Sequence, residues 1–257
     1  MCRHLAYIGP RRPLASLLYE PGHSLEAQSF KPRHQTEVTM NADGWGVGWW
    51  NHAVRPEPAR YRTATPMWAD QALRTPAELV TTSACVAAAR AATPPTAVVA
   101  TGNAPFTAGP WLFSFNGYLV GYAGPSGEAL RRSVSSARFQ GIEGTADSEV
   151  LFALLLDRMD AGATPARAMA GLVTDVVAQG DAKLNLLLSD GHAIAATTCR
   201  NSLFSLVDTG LARGGVLLAS EPLDDDPAWT LIPDGSLVEA SRTTVTVTPL
   251  VSPGGPP

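Results

Sequence analysis

The sequence predicts an α+β protein built on antiparallel sheet. Three features predict it. Ten short segments read as strands, turn chemistry separates most of them, and a single pair of amphipathic helices interrupts them in the middle of the chain. A parallel α/β fold would instead place a helix between most strands.

The extended segments lie at 5–8, 47–50, 98–100, 112–115, 184–189, 193–198, 203–207, 216–220, 237–239 and 245–250. Ser189-Asp190-Gly191-His192 joins two of them as a hairpin, because Asp-Gly suits a tight type I′ turn. The first helix opens near Asp147, with Leu151, Leu154, Leu155 and Met159 on one face. The second carries Met169, Leu172, Val173, Val176 and Val177 at the same helical spacing. Thr164-Pro165 supplies its N-cap and first-turn proline, and Gly162 and Gly180 stand just past the two C-termini. Residues 92–97 (ATPPTA) read as a loop, and SPGGPP at the end reads as a disordered tail. With no internal repeat and no long linker, residues 1–250 are expected to form one domain, followed by the tail at 251–257.

Composition narrows the function classes. The 257 residues are 45% hydrophobic and 16% charged, enough for a sizeable core. A net charge of -4 without any Lys/Arg run argues against a nucleic-acid partner. No apolar stretch approaches the roughly 18 residues that span a bilayer, so no membrane association is expected. The opening MCRHLAYIGPRR lacks the apolar core of a secretory signal. Three cysteines, an odd number without metal-ligand spacing, suit free thiols in a reducing cytoplasm. Zinc spacings, a serine nucleophile elbow, a Walker loop and a dinucleotide fingerprint are all missing, so neither a metal nor an organic cofactor is expected.

Five places could carry chemistry. Cys2 follows the initiator Met, and removal of Met1 would leave thiol and free α-amine on one residue. Such an amine has a reference pKa of about 7.7–8.0 and can serve as base to the thiol; the alternative is a cysteine there by chance. Asn116-Gly117 ends the run LFSFNG. It reads either as a hairpin turn or as an oxyanion hole, made by a side-chain amide and a backbone N–H at a glycine. Arg90, among alanines, either snorkels to solvent or grips a carboxylate with both prongs of its guanidinium. Asp147 is accounted for as a helix-start acid unless it also holds a cation. NADGWGVGWW at 41–50 combines three glycines and three tryptophans, as core or as a loop over a ligand. His34 reads as a surface residue.

The order of these motifs resembles the class II glutamine amidotransferases, a branch of the N-terminal-nucleophile hydrolases. The series is Met-Cys, Gly-Trp-Gly, Arg-x-Ala-Thr at 90–93, Asn-Ala at 103–104, Phe-Asn-Gly at 115–117 and Ala-Asp-Ser-Glu at 146–149, and the likeness runs from Cys2 to about residue 220. It implies a four-layer αββα sandwich of two antiparallel sheets. It also implies Cys2 as nucleophile, with Asn116 and Gly117 as oxyanion hole. Arg90, with Thr93 on the same loop, would bind the substrate α-carboxylate, and Asp147 the α-ammonium. Phe115 and Pro94 stand where many members have His, which alters the pocket beyond the amide.

Within that family, MCRHLAYIGP, NADGWGVGWW, LFSFNGYL, KLNLLLSDGHAIAATTCRNSLF and ASEPLDDDPAW are similar to the hydrolases that release glutamate from γ-glutamyl hercynylcysteine S-oxide in bacterial ergothioneine biosynthesis. The partner implied is thus a small γ-glutamyl substrate. The chain ends soon after the hydrolase motifs, which suits a free-standing hydrolase; the alternative is a glutaminase subunit feeding ammonia to a separate chain. The hercynyl group carries a trimethylammonium, which favours aromatic faces and carboxylates. Trp45 is expected near that cation, aided by Asp224, Asp225 or Asp226, unless it packs into the core.

Overall fold

The structure, a computed structural model, describes residues 2–34, 40–94 and 96–250. The strands in chain order are β1 (Arg3–Pro13), β2 (Trp45–Trp49), β3 (Ala59–Thr63), β4 (Thr81–Ala89), β5 (Phe106–Ala108), β6 (Trp111–Leu119) and β7 (Ala182–Ser189). They continue with β8 (Ile194–Thr198), β9 (Phe204–Val207), β10 (Val216–Ala219), β11 (Thr230–Leu231), β12 (Ser236–Ala240) and β13 (Val245–Pro249). The helices are α1 (Ala15–Leu18), α2 (Leu25–Phe30), α3 (Arg74–Leu79), α4 (Pro125–Ser133), α5 (Ser136–Phe139), α6 (Asp147–Asp160) and α7 (Pro165–Gln179).

Two antiparallel sheets form. One has the order β11-β9-β10-β1-β4-β2-β3, the other β13-β12-β8-β7-β6-β5. Side-chain alternation along β1 shows how they layer. Leu5 and Tyr7 join the core beneath α1–α3, whereas Ala6 and Ile8 join the core between the sheets. Along β6, Leu112 enters the inter-sheet core while Phe113 and Phe115 pack under α6 and α7. Three cores therefore separate four layers in the order αββα. Because central strands are buried on both faces, they read as continuous apolar runs without alternation. The sheets approach closely: a Cβ on Gly48 would fall 2.5 Å from Leu112 Cδ1 of the facing sheet. Gly46 and Gly48 thus lie within β2, a strand of the first sheet, and not in a loop over a ligand.

Both expected helices form. Thr164 Oγ1 accepts from the Arg167 N–H, Pro165 occupies the first turn, and Gly162 adopts φ 95° after α6. Several expectations are corrected. The central strand β4 is spelled TTSACVAAA; its alanine run has helical propensity, but sheet neighbours on both sides override it. Residues 98–100 are not a strand. Val98 and Val99 are exposed loop, and Ala100 opens a 3₁₀ turn. β7 and β8 do form a hairpin, but 190–193 connect them, and Asp190 Oδ1 accepts from the N–H groups of His192 (2.8 Å) and Ala193 (2.9 Å). Only Gly191 has positive φ there, whereas type I′ needs two such residues. The tail at 251–257 lies outside the described residues. Among the described residues, no helix is long and apolar enough to cross a membrane.

Candidate active site

The β1–β4 register pairs Arg3 with Ala89 and so brings Cys2 to the same end of the sheet as Arg90. From the other sheet, β6 delivers Asn116 and Gly117. These residues are mid-strand and pair with Asn185 and Leu184, so the hairpin-turn alternative for Asn-Gly does not hold. The N-terminus of α6 brings Asp147 from a third direction. Cys2, Arg90, Thr93, Gly117 and Asp147 all line one cleft of about 470 Å³, counting its open mouth, together with Phe106, Phe115 and Ser148.

Local sequence explains each placement. Asp43 of the Asn-Ala-Asp-Gly run ties down the 90–93 loop: its N–H donates to Arg90 O (3.0 Å), and its carboxylate accepts from the Ala92 N–H (2.7 Å). Gly44, at φ 106°, has no room for a side chain between Asn103 and Thr63, and its carbonyl accepts the Arg90 N–H (2.8 Å). Gly117 lies so close to the Lys183 carbonyl that no Cβ fits.

Arg90 is 7% exposed, and among the described residues its side chain donates from Nη1 to Ala97 O (3.1 Å). Its charge acts on Asp147, but no direct ion pair joins the two among the described residues. One cation and one anion therefore share a cleft without neutralising each other. Burial raises Asp147 to about 6, against the pull of the Ser148 and Leu119 backbone and of Arg90. The three thiols differ in setting. Burial pushes Cys85 up to about 12 within the core and also raises Cys199, where Asp234 adds to it; only Cys2 lines the cleft.

Trp45 is corrected. It is fully buried beneath α1–α3, its Nε1 donates to Asp70 Oδ2 (3.0 Å), and it packs against Tyr19 and Tyr61. No ring face is left for a ligand. Trp50 is likewise 1% exposed. The acid run does not line the cleft either: Asp224 accepts from Trp229 Nε1, Asp225 pairs with Arg33, and Asp226 accepts from the Ala228 N–H. His34 is exposed and packs on Phe204.

Sequence reasoning missed a polar layer behind Cys2. His4 Nδ1 lies 3.2 Å from Ser114 Oγ, and the His4 N–H donates to Ser220 Oγ (3.0 Å). Burial, with the charge of Arg3 adding to it, lowers His4 to about 3, so its imidazole is neutral. The available signal was alternation: His4 shares a face of β1 with Ala6 and Ile8, and Ser114 and Asn116 share one face of β6. On the other face, buried Arg3 lies 3.4 Å from Glu221, which also accepts from His23 Nε2 (2.9 Å) and the Arg33 N–H (2.6 Å). Burial lowers Arg3 to about 10; Glu221 is itself raised by burial, but these donors hold it below the usual carboxylate range.

Comparison with known proteins gives consistent results. The sequence profile of the class II glutamine amidotransferases matches residues 19–210. A γ-glutamyl-hercynylcysteine sulfoxide hydrolase of Mycobacterium tuberculosis is 35% identical over 257 residues, covering all of both chains. One of the same name from Mycolicibacterium smegmatis is 37% identical, over 97% of this chain and all of that one. A glutamine aminotransferase class-II domain protein from Silicibacter pomeroyi has a solved structure similar in fold. Its TM-score is 0.69 at 24% identity, over 97% of this chain and all of that chain. The profile match over most of the chain, and relatives aligned end to end, establish that this protein belongs to the class II glutamine amidotransferase family.

Proposed function

We propose that the chain hydrolyses the γ-glutamyl amide of γ-glutamyl hercynylcysteine S-oxide and releases glutamate. The observation that carries this reading is the cleft that gathers Cys2, Arg90, Gly117 and Asp147. A γ-glutamyl group presents one α-carboxylate and one α-ammonium, and Arg90 and Asp147 are a complementary pair not already bonded to each other. The names of the mycobacterial relatives support the choice of leaving group.

In this mechanism Met1 is removed and the Cys2 α-amine takes the thiol proton. The thiolate attacks the γ-carbonyl carbon. The oxygen becomes an oxyanion held by the Gly117 N–H and the Asn116 carboxamide. Collapse breaks the C–N bond, and the Cys2 ammonium returns its proton to the departing amine. Water, deprotonated by the same amine, then cleaves the γ-glutamyl thioester to glutamate and free thiol. Arg90 and Asp147 orient the glutamyl end, with Thr93 at the rim of the loop. The route requires no metal or organic cofactor. It acts on a small molecule in a reducing cytoplasm, where the free thiol persists.

The test is incubation of the purified chain with γ-glutamyl hercynylcysteine S-oxide and, separately, with glutamine. The expected result is kcat/KM at least tenfold higher for the sulfoxide. Preferential release of ammonia from glutamine would overturn the assignment in favour of a glutaminase.

A further inference from the structure

We propose that Ser220 is a positioning residue for the oxyanion hole: its hydroxyl donates to Asn116 Oδ1 and so turns Asn116 Nδ2 toward Cys2. This deepens the proposed hydrolase mechanism and rests on it.

Ser220 follows directly on β10 and is fully buried. It is tied down on several sides. Its N–H donates to His4 O (2.9 Å), its carbonyl accepts from Ser202 Oγ (2.8 Å), and its Oγ accepts the His4 N–H (3.0 Å). Oγ also lies 3.4 Å from Asn116 Nδ2. In that orientation Ser220 Oγ accepts twice, from the His4 N–H and from Asn116 Nδ2. The O–H has no acceptor among the described residues, while Asn116 Oδ1 is buried without a donor. Buried polar groups rarely stay unpaired. A half-turn of the carboxamide removes both defects: the Ser220 O–H donates to Oδ1, and Nδ2 takes the place that Oδ1 held.

That place faces the nucleophile. His4 meets Ser114, and Ser114 and Asn116 share a face of β6. Cys2 directly precedes β1 and Asn116 lies two residues beyond Ser114 on β6; Gly117 and Phe115, which flank Asn116, line the cleft with Cys2. The Asn116 carboxamide thus stands between Ser220 on one side and the nucleophile on the other. A hydroxyl on Ser220 satisfies the carbonyl end, leaving the amide end as donor to the developing oxyanion. The Asn116 carbonyl of the main chain, fixed by Asn201 Nδ2 (3.0 Å), holds the strand in place for this.

The experiment compares Ser220→Ala, Ser220→Thr and Asn116→Ala with the wild-type enzyme. Removing one oxyanion donor costs about 100- to 1,000-fold in kcat, and Asn116→Ala should fall there. Ser220→Ala, which leaves the amide present but unoriented, should lose about 10- to 100-fold in kcat with KM little changed, and Ser220→Thr should recover most of that loss. A second readout separates positioning from damage to the fold. Glutamate γ-aldehyde adds the Cys2 thiol and places its oxygen in the hole. Ser220→Ala should weaken this compound by the same factor as kcat and leave glutamate binding unchanged. Equal weakening of both ligands, or unchanged kcat, would overturn the proposal. Unimpaired Asn116→Ala would instead overturn the hydrolase mechanism beneath it. Neutron diffraction from the wild-type protein reads the same point without a variant: a deuteron from Ser220 Oγ on Asn116 Oδ1 is expected, and an amide deuteron aimed at Ser220 would refute it.

Discussion

Asp147→Asn should stabilise the fold at pH 8 and weaken recognition of the substrate ammonium. Burial raises the Asp147 carboxyl from 3.8 to about 6. A gap of about two pH units corresponds to roughly 3 kcal/mol, at about 1.4 kcal/mol per unit. Because the folded protein prefers the protonated form, ionisation costs stability. The cost is absent below about pH 4, where folded and unfolded chains are both protonated. It grows as pH rises through about 6 and is constant above. Asparagine removes it but keeps an oxygen for the Ser148 N–H, which now donates to Asp147 Oδ1 at 2.8 Å. Urea denaturation should show the variant about 1–3 kcal/mol more stable at pH 8, with the difference vanishing by pH 4. In the same variant KM should rise about 10- to 100-fold, since a charge-assisted contact contributes roughly 1.5–3 kcal/mol. Wild-type KM should rise as pH falls below about 6, and this limb should be missing from the variant. A variant less stable than wild type at pH 8, with unchanged KM, would refute the reasoning on both counts.

Three other substitutions probe separate parts of the protein. Arg90→Lys keeps the charge but loses the planar fork, so kcat/KM should fall by about 1.5–3 kcal/mol, visible in steady-state kinetics. Gly117→Ala forces a Cβ against the Lys183 carbonyl and displaces the backbone N–H proposed to hold the oxyanion; kcat should fall about 100-fold or more. Trp45→Ala empties a fully buried site and should cost about 3–5 kcal/mol in denaturation. It should affect sulfoxide and simple γ-glutamyl amides equally; selective loss of the sulfoxide would return Trp45 to the substrate.

The parts of the site legible in the sequence were those carried by short local motifs. Arg-Ala-Ala-Thr, Phe-Asn-Gly and Ala-Asp-Ser-Glu each hold a reactive group within a few residues, and Arg90, Gly117 and Asp147 do line one cleft with Cys2. Helices α6 and α7 were legible because apolar residues at helical spacing across 14 and 15 residues admit few other readings. What failed were features decided by distant partners. Trp45 looked available because the sequence cannot show Asp70 capping its indole. The alanines of β4 become strand only when β1 and β2 flank them. The His4–Ser220 contact joins residues 216 apart in sequence, and no local pattern announces it.

The central claim is that Cys2, as the mature N-terminus, carries the γ-glutamyl group during turnover. Rapid acid quench of the enzyme with γ-glutamyl hercynylcysteine S-oxide, followed by mass spectrometry of the N-terminal peptide, tests it most directly. The expected peptide begins at Cys2 and gains the mass of one glutamyl group, lost again as substrate runs out. Retained Met1 on active enzyme, or the added mass on Cys85 or Cys199 in place of Cys2, would contradict it.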